Sequence, residues 1–291
     1  MKRNRIMNYL QKYLSALLLA ATALLGGTSM AVAQTSLGTA SDFAVLGGTN
    51  VTCTAGSVVG DVGVSPGGAV PFTNTDCTIT GGTPPATDAA AAQARTDFLS
   101  AYAVLQRTAC TQSLTGTLAD LNLAPGVYCL DAVAKTGTLT LTGPSNGVWI
   151  FLVNGALTGT NFSVEMAGGG RPCNVFWAPN GAATMTTSAL KGNILAGDAG
   201  IGSITLTGGT LAGSAMANIA VTMTGAAVIG CDVLPGSKSC KGKKGHGHDK
   251  EHKKCNQGVG NGPEGCDPGD SNHKHDSNDE DGGKPGYPGR K

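Results

Sequence analysis

The chain of 291 residues is poor in charge and in aromatics, at 13% and 4% of its residues, and it has only two tryptophans, Trp149 and Trp177. All five histidines lie beyond residue 240, so the long stretch before them has no imidazole. Each scarcity excludes something. Without histidine, Ser65 in "GVSPGG" has no base to activate it, and the sequence around it is not a nucleophile elbow. The acids there, such as Asp42, Asp61, Asp120, Asp131, Glu165 and Asp198, are scattered rather than paired for acid-base work, so an enzyme is not expected. The cations Arg95, Arg107, Lys135, Arg171 and Lys191 neither cluster nor interleave with aromatics, and a formal net charge of +1 offers no field for nucleic acid. Both tryptophans fall in strongly apolar strands, which predicts core packing rather than sugar stacking.

What is present divides into three parts. Residues 1–33 combine a basic start (Lys2, Arg3, Arg5, Lys12), the apolar run "LSALLLAATALLGG" and small residues at "AVA", the layout of a secretory signal peptide cleaved after Ala33. The apolar run is short for a membrane span, which predicts a secreted or cell-surface chain with no membrane insertion after cleavage. Residues 34–235 are rich in Gly, Ala, Thr, Val and Leu and long enough for one domain with a sizeable core. Residues 236–291 are a Lys/His/Asp/Gly-rich tail with too few apolar residues to offset the entropy of ordering. In that tail, His246, His248 and His252, with Asp249 and Cys255, are the candidate metal ligands, but their spacing matches no closed zinc motif and a solvated spacer is the expected role. The tail's cysteines offer a tether to a cell surface or matrix.

Nine cysteines in an exported chain point to disulfides. Cys53 with Cys77 and Cys110 with Cys129 are the local pairings, among the fifteen connectivities that six cysteines allow.

A repeat runs through the domain. "TLTLT", "ALTGT", "ATMT", "SITLT" and "AVTMT" return about once per twenty residues, preceded in most cases by an apolar strand marked by Phe151, Phe176, Leu195 and Met216. Units that short cannot bury their own apolar face, so they stack, which predicts a β-solenoid. One segment departs from the pattern: after Pro84 and Pro85, residues from about 87 to 107 place Ala91, Ala94, Phe98, Tyr102 and Leu105 at helical spacing, predicting one long helix packed alongside.

In each repeat, apolar residues alternate with hydroxyls that would face outward. Thr138, Thr140 and Thr142, Thr158 and Thr160, Thr184 and Thr186, Ser203, Thr205 and Thr207, and Thr222 and Thr224 would then form a flat, uncharged grid. Threonine is also simply a good strand residue, but an ordinary solvated face mixes in Lys, Glu and Gln, and this one has none. Ala156, Ala182 and Ala220 weaken its first column.

The segments "LGTASDFAVLGGTNVT", "GDVGVSPGGAV", "LAPGVYCL", "VWIFLVNGALT", "CNVFWAPNGAATMTT" and "GNILA" resemble, in order, the DUF3494-type ice-binding protein family over Leu37 to Cys231. The resemblance implies a mainly β fold, a right-handed discontinuous parallel β-helix with one α-helix alongside. It also implies an ice crystal surface as the partner, met by a flat β-helix face that lowers the freezing point or restrains recrystallisation. No cofactor is implied. The alternative from the residues alone is a secreted adhesion or matrix protein using the same solenoid to bind polysaccharide or cells.

Overall fold

A computed structural model describes residues 36–66, 71–80, 89–231 and 233–234. The signal segment, Thr87 and Asp88 before the helix, and the tail with His246, His248 and His252 lie outside the described residues. Among the described residues no helix is long and apolar enough to cross a membrane.

The strands are parallel throughout and wind into coils that contribute to three faces. The first face carries Asp61–Val64, Phe43–Gly47, Ala215–Ala217, Asn193–Ala196, Val175–Pro179, Trp149–Val153, Gly126–Leu130 and Gln112–Leu114 in spatial order. The second carries Phe72–Thr75, Asn50–Thr54, Ala220–Thr224, Ile204–Thr207, Ala183–Thr186 and the first half of Leu157–Ala167. The third carries Thr78–Thr80, Ser57–Val59, Ala227–Ile229, Thr210–Ala212, Ala189–Lys191, the second half of Leu157–Ala167, Lys135–Thr142 and Asn122–Leu123. Each coil thus has up to three strands where the sequence pattern suggested two. The third-face strands, such as Ala189–Lys191 and Thr210–Ala212, are only three residues long, too short for a period-2 pattern to stand out.

Spatial order departs from chain order at one place. The last coil, 215–229, lies between the coil of Asn193–Ala196 and the coil of Phe43–Gly47: Ala215 pairs with Ile194 on one side and Val45 on the other. The chain is therefore a discontinuous parallel β-helix, with its C-terminal coil wedged against its N-terminal one.

The interior stacks like on like. Phe151 lies against Trp177 with ring centroids 4.1 Å apart and against Tyr128 at 5.5 Å, one ring per coil, while Phe162 meets Trp177 edge-on. Trp149 and Trp177 are wholly buried, and their indole N–H groups donate to the carbonyls of Leu123 and Lys191, which satisfies the one polar atom each brings inside. The helix spans Ala89–Leu105 and buries Ala91, Ala94, Phe98, Ala101 and Leu105, while Tyr102 is half-buried and donates to the Pro179 carbonyl. It packs against the first face, where Phe43–Gly47, Asn193–Ala196 and Val175–Pro179 are buried at every residue, between the core and the helix. Asp97 accepts from the Thr39 amide and hydroxyl at 2.8 and 2.7 Å, fastening the helix to the 3-10 turn Gly38–Asp42, and these bonds lower its pKa.

The cysteines pair as Cys53–Cys77, Cys110–Cys129 and Cys173–Cys231. The third bond ties the end of the wedged coil to the 3-10 turn Pro172–Asn174 that leads into Val175–Pro179, two coils away. A Cys173→Ser, Cys231→Ser double variant is expected to unfold about 2–4 kcal/mol more readily in urea, and an unchanged midpoint would contradict this clamp.

Candidate functional site

The second face repeats one small pattern. In Asn50–Thr54, Ala183–Thr186, Ile204–Thr207 and Ala220–Thr224, the apolar residues Val51, Cys53, Ala183, Met185, Ile204, Leu206, Val221 and Met223 are buried, and the threonines between them are half-buried or exposed. The register then aligns threonine with threonine. Thr158 and Thr160 pair with Thr184 and Thr186, these with Thr205 and Thr207, and these with Thr222 and Thr224. Because of the wedged coil the rows continue: Thr222 and Thr224 pair with Thr52 and Thr54, and these with Thr73 and Thr75.

Six successive rungs thus carry the same two outward residues. With strands about 4.8 Å apart and outward positions about 6.7 Å apart along a strand, the two columns run about 24 Å. A flanking column is mixed, formed by Ala156, Ala182, Ser203, Ala220 and Asn50, with Ala220 opposite Asn50 and the Ser203 carbonyl accepting from the Ala183 amide.

A line of left-handed residues keeps the grid straight. Asn161, Thr187, Gly208, Gly225, Ala55 and Asp76 each follow the second threonine of a rung, and each has φ between 46° and 62°. Their amides continue the ladder, from Thr187 to Thr207, Gly208 to Thr224, Gly225 to Thr54 and Ala55 to Thr75. The Thr187 hydroxyl also donates to the Asn161 side chain. Stacking one tight corner on the next holds every rung at the same setting, since the left-handed conformation allows little variation in a non-glycine residue.

Thr138, Thr140 and Thr142 are the correction to the expected grid. They pair with Ser163, Glu165 and Ala167, not with Thr158 and Thr160, and so belong to the third face. The left-handed Asn161 is the cause: it turns the long strand Leu157–Ala167 through the corner, so its two halves lie on different faces. On the second face, Thr158 and Thr160 are the end of the threonine rows. Lys135 pairs with Gly159 there and is wholly buried, its ammonium donating to the carbonyls of Gly116 and Asp131 and to the Asp131 carboxylate at 2.8 Å. That hydrogen bond, more than any other influence, lowers the Asp131 pKa.

The rungs at Thr52, Thr54, Thr73 and Thr75 are the residues that sequence reasoning missed. Their signal is the same alternation, in "NVTCT" and "FTNT", but chain order gives no hint that the first coils join the last. The marker Phe176 is also corrected by one place, because Phe151 pairs with Trp177 and Phe176 with Ile150.

The two threonine columns contain no ionisable side chain and no aromatic ring. Asp76 at the terminal corner is the charge nearest to them in sequence on the Phe72–Thr75 rung. Among the described residues there is no group of three or more His, Cys, Asp or Glu that could hold a metal. The arrangement offers methyl and hydroxyl groups on a fixed lattice, suited to a periodic uncharged surface.

Comparison with known proteins gives a consistent answer. The family model described as Ice-binding-like matches residues 45–229. An ice-binding protein of Nostoc sp. (strain HG1) is 39% identical over 223 residues, covering 73% of this chain and 80% of the relative. An ice-binding protein of Flavobacterium frigoris (strain PS1) is 33% identical over 217 residues, covering 65% and 73%. Among solved structures, an ice-binding protein from the Antarctic ascomycete Antarctomyces psychrotrophicus aligns with a TM-score of 0.60 and 29% identity, over 67% of this chain and 97% of that one. On the extent of the family match and the identity to its relatives, this chain belongs to the ice-binding-like family.

Proposed function

We propose that this protein is exported and adsorbs to ice through the second face, with Thr52, Thr54, Thr73, Thr75, Thr158, Thr160, Thr184, Thr186, Thr205, Thr207, Thr222 and Thr224 as the contact and Ser203 at its margin. The observation that carries the reading is the uninterrupted threonine register across six rungs. Each threonine contributes a methyl that water must surround and a hydroxyl that anchors it. A repeated, rigid array of the two orders interfacial water in two dimensions, whereas charged groups would orient water about themselves. One contact of this kind is weak, so the energy comes from breadth and from preorganisation, and the stacked corners supply the second by leaving little disorder to lose on adsorption. The relatives' names support ice as the partner. Export is supported by the N-terminal layout of residues 1–33.

The tryptophans expected of a sugar-binding surface are both in the core, so the polysaccharide alternative finds no stacking platform in them. The test is partition into growing ice. When ice is grown slowly from a dilute solution of the protein and a soluble control, the protein is expected to be enriched in the ice fraction while the control stays in the liquid. Exclusion of both to the same degree would overturn the reading.

A further inference from the structure

The sequence contains two Asn-x-Ser/Thr triplets, Asn50-Val51-Thr52 and Asn161-Phe162-Ser163, and the fold brings them to opposite margins of the threonine columns. Asn50 lies inside a strand, half-buried, and its amide is already engaged, with Nδ2 donating toward Thr52 Oγ1 at 3.4 Å and Oδ1 accepting from Thr49 at 3.0 Å. Asn161 differs on each count. It is exposed, sits at a left-handed corner, and directly follows Thr160 at the rim of the grid. Its Oδ1 accepts from Thr187, which turns the amide nitrogen of the same group away from that bond.

We propose that Asn161 is an N-glycan acceptor, and that a glycan there silences the ice-binding face. The donor class is a polyprenyl-pyrophosphate oligosaccharide. A bond forms between Asn161 Nδ2 and the sugar's anomeric carbon, the bond from that carbon to the pyrophosphate oxygen breaks, the polyprenyl pyrophosphate leaves, and Nδ2 gives up one proton to a base. The triplet supplies the acceptor chemistry and the exposed corner supplies room for a bulky, hydrated group. A branched oligosaccharide rooted beside Thr160 and Thr186 overhangs two columns only about 7 Å apart. It holds solvent between the threonines and a flat crystal plane. The silencing half of the proposal rests on the ice-binding reading above; the acceptor half does not.

The full chain would be produced in two hosts, a yeast secreting it through an N-glycosylating pathway and a bacterium lacking one, each with a Ser163→Ala variant that removes the triplet while keeping Asn161. Peptide mass mapping and thermal hysteresis would be read on all four. The expected result is a glycan mass on the Asn161 peptide of the yeast product alone, a hysteresis gap several-fold smaller than that of the bacterial product, and full recovery in yeast-made Ser163→Ala. An unmodified Asn161 peptide, or a modified one with an undiminished gap, would overturn the proposal. A glycan at Asn161 with no ice activity in any form would uphold the acceptor and sink the ice reading instead.

Discussion

Thr222→Tyr is expected to bring thermal hysteresis down to near the buffer baseline while leaving the fold intact. Thr222 belongs to the fourth of six rungs counted from the Thr158 end and the third counted from the Thr73 end, with Thr205 and Thr52 directly beside it. A tyrosine there stands above the threonine plane and keeps a flat crystal surface off its neighbours as well as itself, so the loss exceeds one contact in twelve. The strand should tolerate the change, because the side chain points outward between buried Val221 and Met223, and tyrosine suits a pleated surface. Hysteresis measured with crystal shape recorded, beside a thermal melt by circular dichroism, separates the two effects. A retained gap in a folded variant would remove Thr222 from the contact.

Gly213→Ala should have the largest effect on stability. Gly213 has φ +148° at a corner where the wedged coil's neighbour turns from the third face to the first, and a Cβ there would come within 2.0 Å of the Gly192 carbonyl oxygen. The neighbour cannot yield cheaply, since it is backbone held in the ladder: Gly192 donates to Ala212 and Gly213 to Ile229. Forcing two coils apart combines backbone strain with lost interior packing, so a cost of about 3–5 kcal/mol is expected. At this chain length that is a drop of roughly 10 °C in Tm. Gly116→Ala is the control. Its φ is +85°, but nothing lies within 4 Å of the added methyl, so only the conformational cost of about 1 kcal/mol remains. Equal melting temperatures for the two variants would contradict the stacked-corner account.

The sequence was readable where one side of a strand meets water. Alternation in "SITLT" and "AVTMT" marks inward Ile204, Leu206, Val221 and Met223 and outward threonines without ambiguity, and the register agrees. On the first face that signal vanishes. Val175–Pro179 is buried on both sides, by the core and by the helix, so "VFWAP" has no parity to read and Phe176 could be mistaken for the partner of Phe151. The helix was legible for the opposite reason, since its spacing of three and four is interrupted by nothing, and Ala91, Ala94, Phe98 and Leu105 are buried on one side of Ala89–Leu105.

Two features were out of reach of local pattern. A single left-handed residue, Asn161, moves the inward positions of Leu157–Ala167 from Leu157 and Gly159 to Phe162 and Val164, and "TLTLT" at Thr138 to Thr142 pairs with the half beyond that corner, so it looks like a rung while lying on another face. The wedging of the last coil between the first and the middle is set by contacts between distant parts of the chain, which no window of twenty residues contains. It is also what turns a four-rung face into one of six, by bringing Thr52, Thr54, Thr73 and Thr75 into line.

That difference supplies the most direct test. Thermal hysteresis would be measured on the full chain with Thr54→Tyr and, separately, with Thr140→Tyr, both checked by melting curve. Thr54 lies far from the later repeats in sequence but shares their face, while Thr140 sits in the most regular threonine repeat but pairs with Glu165 on the third face. The expected result is loss of the gap in Thr54→Tyr and an unchanged gap in Thr140→Tyr. Loss in Thr140→Tyr with retention in Thr54→Tyr would contradict the account, because the ice would then be meeting a different face.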